Sequence, residues 1–489
     1  MSENKRGGEF SSILKLTDLD YIIPSQTCIK PVEIEKSAIP SKSTIEIESD
    51  GTYFERTETG EKKSLEKVGI TLNDCLACSG CITSAESVLI SAQSVQEFLG
   101  TSSRGKTIVI SLSPQSRASL ASHFKISSLS LVKKLQTFFK NMGIDYLFDT
   151  NFSRDFSLLE SANEFVERFK QYKDNISSNT TSTSLPMLSS ACPGWICYAE
   201  KTHGDYILPY ISTTKSPQQI MGTLVKYYFS KHIIHKEPQD IYHVTIMPCY
   251  DKKLEASRND FYNDIFKTKD VDCVLSTGEI LELLSEKNVD LMSLEESELL
   301  HGHNNEFFNI TTDGKDLIGT SGSSSGGYLE FVLKYAAKQL FNVDVDKIEY
   351  KVGRNPDFKE TFLKVNGETV LTFAQAFGFR NIQNVVRKIK NGKMDYHFIE
   401  IMACPSGCIN GGGQIKDTSL SVQANKLALQ ETESIYQQQQ IPRSPLDNDY
   451  VKKIYQLWFN GYFTPDSKTN LHTQYHRIEK TISALNIKW

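Results

Sequence analysis

The sequence has no basic excess. Its 54 Lys and Arg stand against 59 Asp and Glu, a net charge of −5, which points away from nucleic acid as a partner. It has no apolar run near the ~20 residues that a membrane-spanning helix needs. The stretch Met1 to Asp20 lacks both the apolar core of a secretory signal and the Arg-rich, acid-poor pattern of a mitochondrial presequence. The ten histidines form no H-x-x-E-H or H-E-x-x-H pair, so the common zinc-hydrolase motifs are absent. No repeat of a few tens of residues is visible. What remains is an ordinary soluble globular composition, 39% hydrophobic and 23% charged over 489 residues. The expected compartment is the cytoplasm, with the nucleus as a second.

What the chain does have is cysteine, ten in all. In a reducing compartment these are not expected to build a disulfide framework. They are core residues, redox thiols or metal ligands, and their spacing has to decide.

The elements around them are partly legible. Thr107–Leu112 (TIVISL) is β-branched and apolar and predicts a buried strand, ended by Ser113-Pro114 with a helical pattern after it. Val244–Met247, stopped by Pro248, and His397–Met402, running into Cys404, predict two more strands. Helical patterns cover Gln218–Tyr228 and Ala374–Lys390. Alternating strands and helices predict an α/β body with mostly parallel sheets. Ligands gather at the carboxyl ends of such strands, where Cys249 and Cys404 fall. Lys173–Ser190, rich in Ser, Thr and Asn, reads as a solvated loop or insertion. Ser321–Gly327 (SGSSSGG) is phosphate-loop-like but lacks the Lys of a P-loop, and reads as a loop or packing turn. Gln437–Gln440 reads as a surface segment.

Cys75-Leu-Ala-Cys78-Ser-Gly-Cys81 is C-x2-C-x2-C. Three thiolates at this spacing wrap one face of a cubane cluster, while small residues let the backbone turn. The bacterial ferredoxin run continues C-x3-C-P, and here that position is Ala85. One cluster is therefore expected, with its fourth ligand from elsewhere. Cys28 is the only other cysteine before Cys192. Zinc is the competing metal, although zinc ribbons use paired C-x2-C knuckles. A second group comes from three separated segments: Ala191-Cys192-Pro193-Gly194-Trp195, Met247-Pro248-Cys249-Tyr250-Asp251-Lys252-Lys253 and Met402-Ala403-Cys404-Pro405-Ser406-Gly407-Cys408. Each sets Cys beside Pro or Gly, in turns that expose backbone N–H groups to cluster sulfides. Four such thiolates would bind one cubane. Cys197 and Cys273 read as buried hydrophobes, and His203 and His472 as structural.

These three segments resemble the signature motifs of the iron-only (FeFe) hydrogenases. The likeness extends to Ser216-Pro217-Gln218-Gln219, Ala376-Phe377-Gly378-Phe379-Arg380-Asn381 and Leu471-His472-Thr473-Gln474-Tyr475, covering roughly Thr107 to Tyr475. The resemblance implies an FeFe-hydrogenase-like body of two α/β lobes, with Cys192, Cys249, Cys404 and Cys408 as ligands of the cluster between them. Hydrogenases of this family carry a proton-donating Cys directly before the ligand Cys of the first motif. Here that residue is Ala191, whose methyl group transfers no proton. A relay glutamate is replaced by Ser161, with Glu164 present nearby, while Met247, Lys252 and Met402 match residues around the catalytic iron pair. No catalytic residue is therefore expected.

The combination resembles the eukaryotic iron-only-hydrogenase-like proteins, also called the nuclear prelamin A recognition factor-like family. That resemblance implies an assembly factor for cytosolic and nuclear iron–sulfur proteins. It would be an adaptor with two 4Fe–4S clusters, one on Cys28, Cys75, Cys78 and Cys81 and one on the second group. Its partners would be the early scaffold ATPases and the late targeting complex with its WD40-repeat subunit; Trp489 either anchors such a contact or packs on the domain. The expected organisation is a cluster domain over 1–100, the two-lobed body over 101–415 and a mostly helical segment over 416–489 completing it. The alternatives are a redox enzyme of hydrogenase type and a zinc-stabilised interaction protein.

Overall fold

In a computed structural model of the chain, Thr107–Leu112 forms a strand buried over nearly all its length. Residues 84–101, 105–144, 146–178, 185–298, 317–416, 421–438 and 441–478 are described, together with the backbone of five short strands before them. Thr107–Leu112 lies within a four-stranded sheet in the order Cys273–Ser276, Ile241–Met247, Thr107–Leu112, Tyr146–Asp149. All three pairings are parallel. Parallel strands are covered by helices on both faces and read as apolar runs. Ile241–Met247 fits this, with every position buried. It begins three residues before the apolar run Val244–Met247 because His243 enters the sheet uncharged. Burial holds its pKa down at about 3, and its ring bonds to Ser111 Oγ at 2.8 Å and to the Asp270 carbonyl at 3.0 Å.

The second sheet has five strands, in the order Lys351–Val352, Phe358–Val365, Glu368–Phe377, Phe398–Met402, Met187–Ser189. Its first three strands pair antiparallel and the last three parallel. Here the sequence misleads. Ala374–Phe377, expected to be helical, is the end of a strand paired with Ile399–Met402. Gly378, at φ +79°, then turns the chain into the helix Phe379–Lys390. Alanine favours helix locally, but pairing on both edges overrides so small a preference. Lys173–Ser190 is also not one loop. The helix Asn151–Ser177 runs through its first third, and Met187–Ser189 is the edge strand. The last turns of that helix are largely exposed, so their polar composition says nothing against a helix. Gln218–Tyr228 is helical as expected, wound as an α-helix over Pro217–Thr223 and as a wider π-helix from Leu224 to Ile233.

One apolar core surrounds the four-stranded sheet and a second surrounds the five-stranded sheet. The helices Asp449–Leu457 and Pro465–Leu471 supply Val451, Ile454, Tyr455 and Leu471 to the first core. The chain divides into two compact units between Val88 and Leu89. In the first, Thr44–Ile47, Tyr53–Arg56 and Lys62–Ser64 form an antiparallel meander, and Ser11–Leu14 pairs with Ile70–Thr71. Cys28, Cys75, Cys78, Cys81 and Trp489 lie outside the described residues. Among the described residues no helix is long and apolar enough to cross a membrane.

The two sheets meet through a glycine-lined approach. Gly413 donates its N–H to the Pro248 carbonyl at 2.9 Å. A Cβ on Gly411 would stand 2.2 Å from that same oxygen, far inside van der Waals contact. Gly411→Ala should therefore force the loops apart at a cost of about 1–3 kcal/mol. Gly353→Ala, where nothing lies within 4 Å, is the control and should be nearly neutral. Equal thermal unfolding midpoints for the two variants would show that the close approach carries no stability.

Candidate metal centre

The three strands that end beside this approach carry the second cysteine group. Cys249 follows Ile241–Met247 of the four-stranded sheet. Cys192 follows Met187–Ser189, and Cys404 and Cys408 follow Phe398–Met402, all from the five-stranded sheet. The carboxyl ends of strands from both lobes therefore converge where α/β sheets place ligands.

Among the described residues, all four cysteines are free thiols within electrostatic reach of one another. Burial, then Cys192 and Cys408, pushes the Cys404 pKa well above its ordinary value. Burial, then Asp251, Cys404 and Cys192, does the same to Cys249. Cys408 is pushed up to about 12, by burial and then Cys192, and Cys192 is raised by burial and then Asp251. Four such groups become thiolates together only around positive charge, which a metal centre supplies. Among the described residues no three Cys, His, Asp or Glu side chains close around a single ion. Four thiols drawn from both sheets are a donor set of the kind that iron–sulfur clusters take.

The backbone is arranged for sulfur. Cys192 caps the helix Pro193–His203, with Pro193 in the first turn where an N–H is not needed. Its Sγ accepts the Ala403 N–H at 3.4 Å and is also hydrogen-bonded by the Trp195 amide. Ser190 Oγ accepts the Cys192 N–H at 3.0 Å. Cys408 donates its N–H to Ser325 Oγ at 3.1 Å. Gly407, at φ +80°, lies so close that a Cβ would meet that hydroxyl at 1.9 Å. Ser321–Gly327 is thus a packing turn against the cysteine loop. It is not an open phosphate cradle, because the Leu329 N–H in the first turn of the following helix is already given to Glu400 Oε2 at 2.9 Å.

Other residues singled out in the sequence fall around this centre. Ala191 is half-buried against the second core. Lys252 is buried, with its Nζ on Ser216 Oγ at 3.1 Å and Glu255 Oε2 at 2.8 Å. Met402 is fully buried, and Met247 packs with Ala256, Val271 and Val274. Ser161 Oγ is buried without a partner among the described residues. Glu164 is held by Arg168 at 2.6 Å, Ser212 at 2.6 Å and the Thr213 N–H. Burial pushes its carboxyl up, but these donors and His472 outweigh it and leave the pKa below the ordinary value. Cys273 is buried in its strand, its thiol pushed up to about 12 by burial, and Cys197 is half-buried on its helix. His203 bonds to Tyr198 and Tyr206, and His472 to Glu160 and Thr213. Ser325, Ser190 and Glu400 were not singled out in the sequence, and Gln219 entered only as part of a motif. Gln219 is buried with neither amide atom partnered among the described residues. Its place in the Ser216–Gln219 motif was the one signal available.

Known proteins match this geometry. The family described as iron only hydrogenase large subunit, C-terminal domain, matches residues 106–412, and iron hydrogenase small subunit matches residues 425–477. A relative from Dictyostelium discoideum named "Probable cytosolic Fe-S cluster assembly factor narfl" is 62% identical, over 99% of this chain and 100% of its own length. "Cytosolic Fe-S cluster assembly factor narfl" of Xenopus tropicalis is 50% identical over 98% and 99%. "Cytosolic iron-sulfur assembly component 3" of Rattus norvegicus is 48% identical over the same shares. Among solved structures, an apo FeFe hydrogenase from Chlamydomonas reinhardtii superimposes with a TM-score of 0.66 at 25% identity, covering 78% of this chain and 98% of that one. The chain belongs to the iron-only hydrogenase family, within the group related along its whole length to the nuclear prelamin A recognition factor-like assembly factors.

Proposed function

We propose that this protein is a cytosolic iron–sulfur cluster assembly factor, an adaptor with two 4Fe–4S clusters and no turnover of its own. The observation that carries this reading is identity of 62% and 50%, over nearly the whole chain, with proteins bearing that name. Cys192, Cys249, Cys404 and Cys408 would hold the inner cluster. Cys28, Cys75, Cys78 and Cys81 would hold the outer one. A bound cluster supplies a site that gains or loses one electron and ties the loops bearing its thiolates together. Ala191 removes the proton donor that hydrogen chemistry needs, and Lys252, engaged with Ser216 and Glu255, favours a packed wall over a reactive pocket.

In this reading residues 1–100 form the outer-cluster domain, 101–415 the body, and 416–489 the segment that completes it. The partners are the scaffold ATPases and the targeting complex, whose WD40-repeat subunit would meet Trp489. An indole side chain offers a large aromatic anchor for such a contact. The compartment is the cytoplasm, with the nucleus as a second site.

Anaerobically purified protein should carry about eight irons and about eight acid-labile sulfides per chain. About four of each would leave one site misassigned, and little iron with stoichiometric zinc would overturn the cluster reading. Infrared bands from iron-bound carbonyl or cyanide should be absent, and finding them would restore the enzyme reading. A second contrast separates the two sites. Cys404→Ala should lower protein abundance several-fold, because losing the inner cluster leaves buried thiols unbound. Cys78→Ala should spare the fold, and equal aggregation of the two variants would refute that division.

A further inference from the structure

Glu400 is a carboxyl with almost no access to solvent, 1% exposed. It lies on the strand Phe398–Met402, on the face shared with Met402, since alternate residues of a strand point the same way. One oxygen, Oε2, accepts the Leu329 N–H at 2.9 Å, in the first turn of the helix Tyr328–Phe341. The other, Oε1, is buried with no hydrogen-bond partner among the described residues. That helix springs from the turn whose Ser325 receives the Cys408 N–H. Tyr328, its first residue, is buried and feels both Glu400 and Cys408. The carboxyl and the cysteine site thus act on the same ring.

A buried carboxylate with one unpaired oxygen is a poor place for fixed negative charge and a ready place for a proton. The groups that face it are Glu330 on the same helix, Lys359 on Phe358–Val365, two strands away in the same sheet, and Arg154 on the long helix Asn151–Ser177. The phenols of Tyr328 and Tyr350 also feel its charge. Burial raises its pKa, the Leu329 N–H lowers it, Glu330 raises it, and Lys359 and Arg154 lower it. The balance leaves the carboxyl titrating at about 7.

We propose that Glu400 is a redox-linked proton site for the inner cluster. When the centre held by Cys192, Cys249, Cys404 and Cys408 accepts one electron from a one-electron donor, Glu400 accepts one proton from solvent and an Oε1–H bond forms. The net charge of the buried region is unchanged, and reoxidation releases both particles. The inference rests on the cluster reading above. Its physical basis is that an added electron in a low-dielectric interior repels a nearby carboxylate charge, which raises the proton affinity of that carboxylate. Below the pKa of the oxidised state, Glu400 is protonated in both redox states and the potential is flat. Above it, each tenfold fall in proton concentration lowers the potential by up to 59 mV for a one-electron couple.

The test is a dithionite titration of the full chain followed by electron paramagnetic resonance from about pH 6 to about pH 9. The Cys78→Ala variant is used so that only the inner cluster contributes. The expected plot is flat at low pH and falls above about pH 7, the value at which the carboxyl titrates. In Glu400→Gln with iron retained, the plot should be flat throughout. Glu330→Gln, which removes a neighbouring charge at a half-buried site, should move the bend to lower pH and decides the matter should Glu400→Gln fail to fold. A flat plot for the Glu400 protein, or a slope that survives Glu400→Gln, overturns the proposal. A Cys78→Ala protein with no iron overturns the cluster reading and the proposal with it, and is told apart by its metal content.

Discussion

Four neighbouring thiols, Cys192 buried and Cys249, Cys404 and Cys408 half-buried, each resisting ionisation, are the constraint on which the rest of the structure depends. Each raises the cost of charge on its neighbours, and burial raises it further. In the proposed reading, a cluster that relieves this cost would bring positive charge to every thiol and so tie both sheets together. The architecture around it follows. Strands from each lobe end at one place, backbone amides turn toward sulfur, and glycine lines the loops where a Cβ would collide. The lobes are also joined by backbone bonds such as Gly413 to Pro248 and Gly278 to Gly413, and by the helix Asn151–Ser177, which supplies residues to both cores.

The proposed role without turnover rests on the same region. Hydrogen chemistry needs a proton donor, and residue 191 is an alanine, whose methyl group transfers none. The polar residues that would face a reacting site are instead engaged with each other: Lys252 with Ser216 and Glu255, Glu164 with Arg168, Ser212 and Thr213. In the proposed reading, a fold shared with hydrogenases would serve as a rigid holder, which suits an adaptor because preorganised surfaces lose less freedom on binding.

The legibility of this protein was uneven. Candidate cluster ligands announce themselves, because few physical reasons put Cys next to Pro or Gly in three separate segments. The strands leading to them were equally plain where β-branched residues ran together, as in Thr107–Leu112. Ala374–Phe377 was misread because alanine prefers helix while pairing with Ile399–Met402 prefers strand, and only the sheet reveals the pairing. The end of the helix Asn151–Ser177 was misread because exposed turns need no apolar residues.

By itself the sequence determined the α/β class, the four cysteines proposed as the inner ligand set and the alanine at position 191. Each depends on the chemical identity of single residues or on short-range pattern. Only the tertiary structure decided what surrounds the thiols. Ser325 reaches Cys408 across 83 residues and Glu400 reaches Leu329 across 71. Serine and glutamate in a chain of this length carry no mark of such partnerships. Burial is a property of the packed whole, and it is burial that turns an ordinary glutamate into a carboxyl that titrates at about 7.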